Sequence, residues 1–188
     1  MRAMKIVKDP RQVERLAKKC DDENWDFRVW LKEHSPDDAE LNNVVQELTK
    51  EIWSQIDCTE CANCCRTTLT CVVPDEFAPL ARALGLSIED LKVQVLRMED
   101  DVGEMGEARW VLPSPCPLLD GNLCRIYDER PQQCRDYPNL HTDFRSHSIS
   151  RFTNAETCPI VFNVIEALKV ELRWPGLRRW RGRDRRRR

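Results

Sequence analysis

Apolar residues recur at helical spacing through the first third of the chain. Val13, Leu16 and Ala17 share one stripe behind Pro10, a residue suited to a first helical turn, and predict a helix to about Lys19. Trp25, Phe27, Val29, Trp30 and Leu31 follow, a patch dense enough to predict burial against the cysteine-rich region. Ser35 reads as an N-cap, with Pro36 at the first helical position and Asp38 completing a capping box. Leu41, Val44, Val45, Leu48, Ile52 and Ile56 continue the period. That helix is predicted to run into Cys58 and to present the cysteines at its C-terminal end.

The pattern then shortens. Thr67–Val73 alternates as a strand or hairpin arm. Pro74 opens a helix through about Ala83 that Gly85 stops, and Ser87 caps another with Leu91, Val95 and Leu96 on its apolar face. Residues 99–115 read as a loop or hairpin around Trp110. Asp120-Gly121 is a turn signal that brings Cys116 and Cys124 together. Pro131 forces Arg130 out of the α-region, and a short helical turn follows around Cys134. A last helix spans Ile160–Leu172, with Val161, Val164, Ile165 and Leu168 buried. The fold class is α+β, mostly α-helical, with an irregular cysteine-rich core and short hairpins. Three segments are expected: a helical 1–57, a cysteine-cluster domain 58–172 and a disordered Arg-rich tail 173–188.

Charge alters this picture at one end only. The 188 residues carry a formal charge of −2, but nine Arg against one Asp lie beyond position 172, so that tail is +8 and the preceding body is −10. Arg interleaved with Trp174 and Trp180 suits phosphate contact and base stacking, yet an acidic body repels a polyanion, so nucleic acid is not the expected partner. With no signal peptide and no long apolar run, the expected location is the cytoplasm, away from membranes, where thiols stay reduced.

Ten cysteines then point to metal more than to disulfides. Cys58, Cys61, Cys64 and Cys65 fall within eight residues, and thiolates two residues apart can converge on one centre. Cys116, Cys124, Cys134 and Cys158 lie beside turns or prolines. Eight thiolates suffice for two four-thiolate sites. One division groups Cys58, Cys61 and Cys64 with one remote cysteine and Cys65 with the other three. The first three share the spacing of bacterial ferredoxin ligands, and zinc accepts four thiolates equally, so an iron–sulfur cluster, [4Fe–4S] in type, and zinc both stand. Arg66, Arg125, Arg130 and Arg135 are placed to offset the negative charge through hydrogen bonds to sulfur, Arg130 and Arg135 above all. Cys20 and Cys71 read as a spare thiol and a buried strand residue. Among the histidines, His141 is a better ligand candidate than His34 or His147. Tyr127 and Tyr137 flank the cysteines as packing residues.

At these positions the chain resembles the YkgJ-type cysteine-cluster proteins. The matching runs are Cys-Thr-Glu-Cys-Ala-Asn-Cys-Cys-Arg (58–66), Cys-Pro-Leu-Leu (116–119), Gly-Asn-Leu-Cys-Arg-Ile-Tyr-Asp-Glu-Arg-Pro-Gln-Gln-Cys-Arg-Asp-Tyr-Pro (121–138) and Cys-Pro-Ile-Val-Phe-Asn-Val (158–164). The resemblance implies zinc or iron–sulfur binding through the eight matching cysteines. A related domain occurs in the flagellin lysine N-methylase, which implies a protein substrate and a protein-modifying role. From the residues themselves no Gly-rich nucleotide loop and no hydrolytic triad emerges, so enzyme and non-enzymatic zinc module both remain. In the module reading, sparse apolar stretches between Cys58 and Cys158 leave the metal to supply much of the folding energy.

Overall fold

The computed structural model describes residues 5–34, 36–100, 108–140 and 142–177. In chain order the elements are α1 (Pro10–Lys19), α2 (Asp21–His34), α3 (Asp38–Trp53), α4 (Cys58–Cys61), α5 (Asn63–Thr67), β1 (Thr70–Cys71), α6 (Phe77–Leu84), α7 (Ile88–Gln94), β2 (Arg97–Glu99), β3 (Arg109–Leu112), β4 (Leu119–Asp120), β5 (Leu123–Cys124), α8 (Gln132–Asp136), α9 (Ser148–Thr153) and α10 (Pro159–Glu171). Helices dominate and the strands are short and antiparallel, so the mostly helical α+β class holds. No helix among the described residues is long and apolar enough to cross a membrane. The chain divides into two compact units, residues 1–57 with 138–188, and Cys58–Tyr137.

In the first unit, α1, α2 and α3 pack with α9 and α10. Asp9 caps α1 by accepting the Gln12 amide at 2.7 Å, with Pro10 at the first helical position. The cap of α3 is Asp37, which accepts the Glu40 amide at 2.8 Å, and the helix begins at Asp38 rather than at Pro36. Ser35, the expected cap, lies outside the described residues. The helix also stops at Trp53 instead of continuing to Cys58. Along α10 the buried set includes Val161, Val164, Ile165 and Leu168, as the periodicity predicts.

The aromatic run of α2 splits between two faces. Phe27 and Leu31 are buried, whereas Trp25 and Val29 are 40% and 52% exposed. At about 100° per residue, positions 27 and 31 share a face, and 25 and 29 fall on the opposite one. Phe27 packs on Trp30, Phe152 and Trp174, with ring centroids 6.0, 6.0 and 5.4 Å away. Trp174 therefore belongs to the core although it opens the Arg-rich segment; residues 178–188 of that segment, Trp180 included, lie outside the described residues. Beneath these rings sits Lys169, fully buried, with Nζ 2.9 Å from Glu23 Oε1 and 2.6 Å from Glu166 Oε1.

The second unit has an apolar core of its own, in which Phe77, Leu80 and Ala81 of α6 meet Leu91, Leu112, Leu118 and Ile126. This is more apolar packing than the sparse stretches of the sequence suggest. Gly85, at φ +67°, ends α6, and Ser87 accepts the Asp90 amide to start α7. The sheet order is β1-β3-β2, with Cys71 opposite Val111 and Met98 opposite Trp110. Residues 101–107, the acidic part of the expected loop, lie outside the described residues. β4 and β5 form a separate two-residue hairpin in which Leu119 faces Cys124. Gly121, at φ +58°, takes the first loop position, where a type II′ turn needs a residue free to adopt positive φ.

Candidate metal centre

Eight cysteines, Cys71 among them, lie in the second unit. Ala62, left-handed at φ +47°, breaks the helix after Cys61, so Cys58 and Cys61 sit on α4 while Cys64 and Cys65 sit on α5. The Cys116 amide donates to the Cys65 carbonyl at 2.8 Å, which joins the second cysteine region to the first. From Cys116 the chain enters the hairpin that ends at Cys124. Cys134 lies on α8, with its Sγ 3.5 Å from Thr70 Oγ1 of β1. The Gln133 side chain accepts the Cys71 amide at 2.5 Å and pins α8 to that strand.

Electrostatics separate these thiols. Cys65 is held down at about 6, first by a hydrogen bond from Cys64 and then by the Arg66 and Arg130 guanidinium groups, with burial opposing. Burial pushes Cys116 and Cys124 up, offset in part by the Leu118 and Ile126 amides, each two residues beyond its sulfur. Burial takes Cys134 up to about 11. The charge of Cys65 acts on all three: Cys116, Cys124 and Cys134 each feel it as an opposing neighbour. Thiols of the hairpin and of α8 thus feel the charge of a thiolate on α5. One thiolate forms readily, and the others gain by ionising only against a cation.

Each arginine near the cysteines has its own partner. Arg66 donates to oxygens: the Cys61 carbonyl at 3.0 Å, the Gly121 carbonyl at 2.8 Å and Asn122 Oδ1 at 2.5 Å. Arg125 donates to the Pro117 carbonyl at 3.0 Å. Arg130 stacks over Tyr127, 3.5 Å from the ring centroid, and its charge favours the Cys65 and Cys124 thiolates. Arg135 donates to the Arg130 carbonyl at 2.7 Å and so fixes the backbone of its neighbour. None of this is visible in residue spacing, except that Arg-Pro and Cys-Arg are stiff contexts.

The other described candidates belong to the first unit. Cys158 is buried in the other unit, at the N-cap of α10. Cys20 is buried in that unit too, where desolvation and Glu166 push its thiol up to about 11. His34 is exposed and stacks on Trp30, and His147 is exposed before α9. His141 lies outside the described residues. Among the described residues, no three His, Cys, Asp or Glu side chains are already grouped as they would be around a metal ion. The donor chemistry nonetheless fits one: soft sulfurs, amides aimed at two of them, and guanidinium charge beside a third.

Fold and site define a small cysteine-cluster protein. Residues 57–159, more than half of the chain, match the model of the CxxCxxCC family, described as "Putative zinc- or iron-chelating domain", and the chain belongs to that family. No curated protein and no solved structure matches the chain.

Proposed function

We propose that the second unit holds a zinc or iron centre through Cys65, Cys116, Cys124 and Cys134. The observation that carries this reading is the bond from the Cys116 amide to the Cys65 carbonyl at 2.8 Å, which ties the hairpin to α5 beside a thiolate that acts on Cys116, Cys124 and Cys134. Family membership supports the metal class. Zinc would supply a redox-inert tetrahedral anchor, and iron or a [4Fe–4S] cluster would add one-electron chemistry. The chain's own contribution is orientation and charge. The Leu118 and Leu119 amides steady the Cys116 sulfur, the Ile126 amide steadies that of Cys124, and the Cys134 sulfur lies 3.5 Å from Thr70 Oγ1. Arg130, stacked over Tyr127 and with its carbonyl held by Arg135, offsets the negative charge of the thiolates.

The test is anaerobic purification followed by elemental and sulfide analysis and a visible spectrum. Bound zinc in a colourless protein supports an anchor. Iron with sulfide and broad visible absorption supports a cluster. A folded protein with neither element, and unable to take them up, sinks the reading.

A second reading, redox or protein-modifying chemistry such as methyl transfer to a lysine, draws on the exposure of Cys58. A centre reaching that thiol would be open to a protein substrate. Loss of turnover on Cys58→Ser with metal content retained would support it; unchanged turnover would remove it.

A further inference from the structure

The four thiols of the proposed centre leave Cys58, Cys61 and Cys64 on the adjoining helices. We infer that Arg66 and Asn122 form a crosspiece that makes the two thiol groups fill together. In this scheme occupancy of Cys65, Cys116, Cys124 and Cys134 raises the affinity of Cys58, Cys61 and Cys64 for a second ion. The inference rests on the metal-centre reading and adds a coupling to it.

The bonds run both ways between α4 and the hairpin loop. Arg66 reaches back to the Cys61 carbonyl and across to the Gly121 carbonyl and Asn122 Oδ1. Asn122 Nδ2 returns to the Glu60 carbonyl at 2.7 Å. Carbonyls in the last turn of a helix lack intrahelical donors, and here the donors come from α5 and from the loop. The crosspiece ties α4 to the hairpin loop across the break at Ala62. With it, the position of Cys58 and Cys61 follows that of Gly121 and Asn122. The same loop joins Leu119 to Cys124, and Ser114 Oγ donates to the Arg66 carbonyl at 2.8 Å, just before Cys116. An ion that fixes the hairpin sulfurs therefore also fixes α4. Thiols already held in place lose less freedom on binding the next ion, which is positive coupling.

The test titrates the metal-free full-length chain with cobalt(II) without oxygen, following thiolate-to-cobalt absorption. The wild-type chain is expected to bind two equivalents cooperatively. Asn122→Ala and Arg66→Lys, the latter keeping charge but losing the fork, should retain the first equivalent and weaken the second about tenfold. Asn122 is exposed on the loop, so its variant reports even where Arg66→Lys disturbs the fold, as circular dichroism would show. Independent binding steps in the wild type, or variant isotherms identical to it, overturn the coupling. A folded wild-type chain that takes up no cobalt overturns the metal centre itself, a separate result.

Discussion

The amide of Cys116 donates to the carbonyl of Cys65 at 2.8 Å, a backbone bond between two residues whose sulfurs also sense each other. That bond ties the hairpin to α5 before any ion arrives, so the thiols behave as a set. Cys65→Ser, Cys116→Ser, Cys124→Ser and Cys134→Ser are each expected to remove most of the metal from anaerobically purified protein. Cys20→Ala should leave it unchanged. Elemental analysis per folded chain decides; equal depletion in Cys20→Ala would detach the metal from these four thiols.

Thiol chemistry of the chelated protein should follow pH in a specific order. With Cys65 held at about 6, its thiolate persists above that pH and is lost below it, so alkylation by iodoacetamide should fall as pH drops through 6. Cys20 and Cys134, pushed up to about 11, should stay unlabelled at neutral pH. Cys64→Ala removes the largest cause of the lowering and should move the Cys65 midpoint upward. Peptide mapping across pH 5 to about 9 reads all three. A Cys65 midpoint in the ordinary thiol range would contradict this environment.

Local signals were legible where a few neighbouring residues decide the outcome. Ser87 and Gly85 bound their helices because one hydroxyl and one left-handed residue suffice. The Asp120-Gly121 turn produced its hairpin for the same reason. Ser-Pro-Asp-Asp, by contrast, offers more than one cap, and competition among them falls to Asp37. Trp25 and Val29 are exposed because angular position on α2, and not the local density of apolar residues, decides burial. Trp174 is not legible from the Arg-rich segment it opens, since burial against Phe27 is a long-range fact. Arg66 was the hardest to read: its partners Gly121 and Asn122 are distant in sequence, and nothing in Cys-Cys-Arg points to them.

The buried ion cluster of the first unit gives a stability prediction independent of metal. Lys169 is fully buried against Glu23, itself almost fully buried, while Glu166 keeps some solvent. Lys169→Met strands the Glu23 carboxylate and should cost about 3–5 kcal/mol in urea unfolding. Adding Glu23→Leu removes the stranded charge and should recover a large part of that loss, because a buried pair and an apolar replacement of similar volume are often comparable. A double variant no better than the single would mean that Lys169 acts chiefly by packing its stem beside Trp174, 6.0 Å from its Nζ.

Gly121 and Gly85 provide a matched pair for the hairpin. Both have positive φ, at +58° and +67°, and an added Cβ meets nothing within 4 Å at either. Alanine at each should therefore cost only the left-handed backbone penalty, about 1–2 kcal/mol, by thermal or urea unfolding. Their effects on metal should differ. Gly121 lies between β4 and β5 and offers its carbonyl to Arg66, so strain there tilts the arm that carries Cys124 and loosens the tie to Cys61. Gly85 ends α6 on the side of the unit devoted to apolar packing. Gly121→Ala is thus expected to weaken cobalt binding about tenfold or more, and Gly85→Ala to leave it unchanged. Equal losses at both positions would show that metal affinity tracks global stability and not the geometry of this hairpin.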